Sequence, residues 1–161
     1  MKKFLTLFLA ILFPLFVNAA VLEAGVSIED VPDAMFGSWR VKAVLDTSNS
    51  YGTFKPQSLD FWNMSRVGNE ITLDNPFTGA KSTISLKNVE GNVVVFSKKA
   101  KYDDNKVLTD TVTIRLSDTE FSGINSLTLE SFSLVDNHLI KTETATYKIT
   151  GEKIAGESVI K

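Results

Sequence analysis

No cysteine occurs in the 161 residues, so the chain has no disulfide, no thiolate nucleophile and no lipid-attachment cysteine. His138 is the single histidine, and without thiolates beside it a transition-metal site of the usual nitrogen and sulfur ligands cannot be assembled. No cofactor is expected. His138 stands beside the turn residues Asp136-Asn137 and reads as a solvated hairpin residue, not a general base. Positive charge is in slight deficit, with 17 Lys and Arg against 19 Asp and Glu. The densest basic run, Lys98-Lys99-Ala100-Lys101, has no aromatic residues interleaved with it and reads as a solvated hairpin end. Nucleic acid and anionic membrane surfaces are therefore not expected partners, because both are bound through concentrated positive charge.

A hydrophobic run long enough for a membrane helix is also lacking. The apolar stretch from Phe4 to Val17 is interrupted by Pro14 and is shorter than the ~20 residues a span needs. Preceded by Lys2-Lys3 and followed by Asn18-Ala19-Ala20, it has the order of a signal peptide over residues 1–19. Val17 and Ala19 occupy the two small-pocket positions for cleavage before Ala20; cleavage after Ala20 is the alternative. Removing 19 of 161 residues leaves 142, with 15 basic side chains (17 less Lys2 and Lys3) against 19 acidic, a net charge of −4. That is one domain, 20–161, with a single core. It is expected to be secreted or periplasmic, with no membrane insertion once the leader is gone.

Helical periodicity is nearly missing from this domain. Ile28, Val31 and Met35 allow a short helical turn, with Pro32 suited to its first turn and Asp30 and Asp33 near the positive end of its dipole. The rest alternates. In Leu108–Ser117, Val112, Ile114 and Leu116 fall on one face and Thr109, Thr111, Thr113 and Arg115 on the other, which predicts a half-buried strand. Further strands are predicted at Trp39–Asp46, Leu59–Arg66, Glu70–Asp74, Ser82–Lys87, Asn92–Lys98, Ser126–Val135 and His138–Thr150, with a short one at Lys153–Ala155. Gly68-Asn69, Glu90-Gly91-Asn92, Asp136-Asn137 and Thr150-Gly151 carry hairpin chemistry between them. In Ser126–Val135 the apolar phase changes from Leu127 and Leu129 to Phe132 and Leu134, which places a β-bulge near Glu130-Ser131. About eight one-sided strands joined in sequence are best satisfied by an all-β, antiparallel up-and-down barrel, whose closure removes exposed edges. A two-layer sandwich is the competing architecture.

A helical turn leading to Gly37-Ser38-Trp39 at the head of the first strand, then an eight-strand meander, resembles the lipocalin-like (calycin) barrels. In that family a Gly-x-Trp opens the first strand and the Trp packs across the closed end. The resemblance implies the same structural role for Gly37 and Trp39, and implies ligand binding in the interior. The family's Thr-Asp-Tyr motif has no match here, since Thr109-Asp110-Thr111 lacks the Tyr. Its late Arg, which stacks over the Trp, has no counterpart among Arg40, Arg66 and Arg115. Too few residues follow Ala155 for its C-terminal helix.

The longest irregular stretch is 46–58, and loops of that length in compact domains are often functional. In lipocalin-like barrels the first long loop overhangs the mouth, so Tyr51 and Phe54 are candidates to cover an entering ligand; anchoring the loop to the rim is the alternative for both. Leu59 and Phe61 share one parity and are candidates to line the interior, with Trp62 and Met64 on the other side. Tyr147 completes the candidate ligand-binding set of Tyr51, Phe54, Phe61 and Tyr147. Lys141 and Glu143 share parity with Ala145, Tyr147 and Ile149, but a phase change is expected to put that pair in water. Asp103-Asp104-Asn105 lacks the spacing of a calcium loop and reads as a hairpin tip. The function expected is binding of a small hydrophobic molecule inside the barrel, with the 46–58 loop as its gate. The rival is an envelope module with a protein partner, such as a protease inhibitor. Small periplasmic barrels of that kind exist, though those it distantly resembles carry a disulfide. No catalytic constellation is visible.

Overall fold

The computed structural model describes residues 26–156 and the backbone of a final strand, 158–160. The expected leader and its cleavage site lie outside the described residues. Nine strands follow two 3-10 turns, Ile28–Asp30 and Asp33–Met35: β1 Gly37–Ser48, β2 Gln57–Val67, β3 Glu70–Asp74, β4 Lys81–Glu90, β5 Val93–Asp103, β6 Lys106–Leu116, β7 Glu120–Phe132, β8 Leu139–Ala155 and β9 Ser158–Ile160. Each of the first seven pairs antiparallel with the next, and β8 returns to pair with β1, Lys42 opposite Thr150. The sheet thereby closes into an eight-stranded up-and-down barrel, and the sandwich is excluded. Beyond Gly37 the free edge of β2 at Ser65–Val67 is taken by β9, which runs parallel to it.

The loops 49–56, 75–80, 104–105 and 133–138 gather at one end, the mouth; the tight turns gather at the other with the 3-10 turns. Gly68, Gly91 and Asn137 hold positive φ at their hairpins, as their chemistry predicts. Three expectations are corrected. Thr150-Gly151 is not a turn: β8 runs through it, and the glycine is needed because a Cβ there would stand 2.1 Å from the Phe121 ring. β7 starts at Glu120, six residues before the expected Ser126, because Gly123 and Asn125 interrupt an apolar alternation that carries Phe121 inward. The bulge falls between Ser131 and Phe132, but the extra residue, Ile140, is on β8.

The closed half of the interior is packed solid. Trp39, fully buried, donates from Nε1 to the Met35 carbonyl at 3.0 Å. Phe121 lies against it at 5.0 Å between ring centroids and is stacked on Trp62 at 5.8 Å; Phe96 meets Trp62 edge-on. Such rings each bury about 150–250 Å2, and at ~25 cal/mol per Å2 each contributes about 4–6 kcal/mol before ordering entropy is set against it. The turn below is fastened by Ser27 and Asp30, each accepting from a nearby backbone N–H, and by the Arg66–Glu29 ion pair. Gly37 has φ +122°, and a Cβ on it would come within 2.7 Å of the Ala155 and Gly156 carbonyl oxygens. It therefore clears the exit of β8.

Candidate functional site at the barrel mouth

The 49–56 loop is tied across the mouth along most of its length. Leu45 N–H donates to the Pro56 carbonyl at 2.8 Å, and the Tyr147 hydroxyl donates to the Lys55 carbonyl at 2.8 Å. Asn49 exchanges hydrogen bonds with Thr144. The Ser50 and Thr53 hydroxyls both donate to Glu143 Oε1, which also pairs with Lys141 Nζ at 2.9 Å. Phe54 is buried beneath the loop as part of the core, whereas Tyr51 points to solvent. The loop expected as a gate is therefore a fastened cover in this state.

Glu143 overturns its expected place in water. The extra residue of the β8 bulge, Ile140, comes before Lys141, so Glu143 stays in phase with Ala145, Tyr147 and Ile149 on the inward face. The hydroxyls of Ser50 and then Thr53, with Lys141, hold its carboxyl down to about 2. Tyr147, also inward and buried, has its phenol pushed up by burial.

Phe61 overturns its expected parity. β1 pairs Trp39 with Trp62 and Arg40 with Phe61, and directly opposed residues share a face. Trp62 and Met64 consequently turn inward, while Leu59 and Phe61 turn out, Phe61 against Phe77 at 4.7 Å. The candidate set is thus divided: Phe54 and Tyr147 lie inside and meet the same loop, and Tyr51 and Phe61 lie outside.

A polar group not anticipated from the sequence occupies the inward face toward the mouth. Asp60 accepts from Trp62 Nε1 at 3.1 Å, from Asn75 Nδ2 at 2.5 Å and from the Phe61 N–H at 2.8 Å. Asp110, only 6% exposed, pairs through Oδ2 with Lys98 Nζ at 3.3 Å. Its Oδ1 has no hydrogen-bond partner, and neither has the buried Oδ1 of Asn125. Burial pushes the Asp110 carboxyl above the usual range; Lys98 and Asn125 pull the other way, and Asp60 adds a smaller push upward. Lys98, expected at a solvated hairpin end, is thus an inward cation; Lys99 and Lys101 are exposed. A signal for Asp110 was present: it shares parity with Val112, Ile114 and Leu116 on the clearest apolar face in the chain. Asp60 likewise shares parity with Trp62 and Met64.

The remaining charged candidates sit on turns. His138 Nδ1 meets Asp136 Oδ1 at 2.5 Å on the exposed β7–β8 hairpin, and Lys101 pairs with Asp104 at the β5–β6 tip. Among the described residues no three Asp, Glu or His side chains converge as metal ligands. At the closed end Lys153 Nζ lies 5.3 Å from the Trp39 ring centroid and donates to the Ala34 carbonyl at 3.1 Å. On the outer wall a groove of about 730 Å3 passes Arg40, Lys42, Leu59 and Arg115, and an apolar recess of about 250 Å3 passes Phe61, Phe77 and Ile154. Comparison of the chain with protein-family models, with curated proteins and with solved structures finds no match.

Proposed function

We propose that the chain is a secreted or periplasmic binding protein that takes a small, largely apolar ligand into the mouth half of its barrel. The observation that carries this reading is the contrast between the two halves of the interior. Inward residues of the closed half, such as Trp39, Met64, Val94 and Ile114, are fully buried, whereas toward the mouth Ala43, Leu45, Leu108 and Leu127 are only partly covered beside the buried Leu129, Ala145 and Tyr147. Those four offer apolar lining that solvent reaches, and an eight-stranded barrel is wide enough to hold one small ligand. The resemblance to lipocalin-like barrels supports the same reading. The Lys153 ammonium over the Trp39 ring is compatible with it, since a lysine is attracted to the ring face as the stacking arginine of that family is.

The test is extraction of the protein purified from its own cells, followed by identification of what it carries. A stoichiometric small molecule supports the reading, and a co-purifying protein in its place contradicts it. One observation favours the rival, an interaction module: exposed Phe77, Leu59 and Ile154, with the half-buried Phe61, form an apolar stretch on the outer wall, and such patches mark contact surfaces. Catalysis has less behind it. Asp60 is held by three donors, and no Cys is available as a nucleophile.

A further inference from the structure

Two buried acceptors without donors lie on neighbouring strands of the mouth half. Asp110 faces Leu127 across the β6–β7 ladder and Val112 faces Asn125, so Asp110 and Asn125 are diagonal neighbours on the inward face. A carboxylate oxygen and an amide oxygen, both out of contact with water and both without a partner, leave a desolvation cost that a donor would remove. Neither oxygen accepts a hydrogen bond from the described residues, although the Asn125 amide stands close enough to Asp110 to pull its carboxyl down.

The charge around these oxygens selects the donor. Nearest these oxygens the inward charges are Asp60, Asp110 and Lys98, which sum to −1; Lys106 and the Glu143–Lys141 pair stand nearer the rim. An anionic ligand would add a third negative charge beside Asp60 and Asp110. An alcohol carries one O–H donor for two acceptors, whereas a primary ammonium carries three N–H donors and the missing positive charge. The Lys98 side chain is 24% exposed, so the buried Asp110 carboxylate lies next to a side chain that solvent reaches. Ala43, Leu45, Leu108 and Leu127 then remain for an apolar tail.

We infer that the ligand of the barrel mouth is a cationic amphiphile, a primary amine on an alkyl or aryl tail, whose ammonium donates to Asp110 Oδ1 and Asn125 Oδ1. This rests on the binding-protein reading above and names the ligand class for that same site. Binding leaves the Asp110–Lys98 pair in place.

The experiment is isothermal titration of the mature protein at neutral pH with octylammonium, 1-octanol and octanoate, three probes of equal tail length. Octylammonium is expected to bind about tenfold or more tighter than octanol, as a hydrogen-bonded charge implies, and octanoate weakest. Asp110→Asn is expected to bring octylammonium and octanol to within about threefold of each other. Asn125→Leu, which removes one acceptor and leaves the ion pair intact, reduces the preference partially and serves if Asp110→Asn does not fold. Equal binding of octylammonium and octanol by the wild type overturns the inference while the apolar-ligand reading stands. Tightest binding by octanoate overturns it as well. No binding of any probe overturns both and leaves ordered water as the partner of the two oxygens.

Discussion

Gly151→Ala is the sharpest perturbation of the closed end. A Cβ there falls 2.1, 2.4 and 2.5 Å from Cε1, Cζ and Cδ1 of Phe121. That ring is 3% exposed and wedged between Trp39 at 5.0 Å and Trp62 at 5.8 Å, so two indoles block its retreat into the core. Forcing a methyl into such a core costs about 1–3 kcal/mol, and the absence of slack puts this site at the upper end. Restricting the unfolded chain returns about 0.4–1 kcal/mol. The net loss is about 2 kcal/mol, which lowers the urea midpoint by about 1 M. Tryptophan fluorescence in urea reads it directly. Phe121→Leu added to Gly151→Ala should destabilise by less than the sum of the two changes, with a coupling of about 1 kcal/mol or more. Gly52→Ala, where nothing lies within 4 Å, is the control and should stay within about 0.5 kcal/mol of wild type. A Gly151→Ala variant as stable as wild type would refute the packing account.

Trp39→Phe leaves the buried Met35 carbonyl without its 3.0 Å donor and should cost about 2–4 kcal/mol, read as the midpoint shift in urea. Two of the inward carboxylates give opposite pH limbs. Glu143, lowered from 4.5 to about 2, contributes stability that is full above 4.5 and lost as pH falls toward 2; in Glu143→Gln this limb should vanish and amide exchange in the 49–56 loop should rise. Asp110, raised above 3.8, disfavours its charged form in the fold, so its limb gains stability as pH falls through its native value; Asp110→Asn should remove that gain in urea titrations across pH. Phe77→Ser, on the outer wall, should leave stability within about 0.5 kcal/mol of wild type. Loss of a stable protein partner in the same variant, read by affinity capture, would favour the interaction module over the ligand-binding reading.

The fold was legible wherever one strand face is continuous: Val112, Ile114 and Leu116 announce β6, and the Gly68-Asn69 and Gly91-Asn92 turns mark where the meander reverses. It was illegible where a glycine serves packing and not a turn. Gly151 looks like a hairpin residue until Phe121 is seen against it, and Gly123 breaks an alternation that the strand itself does not break. At the site, the shared phase of Ala145, Tyr147 and Ile149 was legible, whereas Phe54 lies on a loop and has no strand phase to read. The phase of Phe61 was not legible, because its neighbour Trp62 is equally apolar and only pairing with Trp39 decides between them. Asp60, Lys98, Asp110 and Asn125 escaped because a charged residue on an apolar face reads locally as an end of burial, and their mutual approach is a property of the closed barrel.

Native mass spectrometry of the protein taken from its own cells tests the central claim, that the barrel mouth holds a small ligand. The account predicts a one-to-one adduct that yields an amine on extraction and is lost in Asp110→Asn. A bare chain that also takes up no octylammonium when the amine is supplied would contradict it.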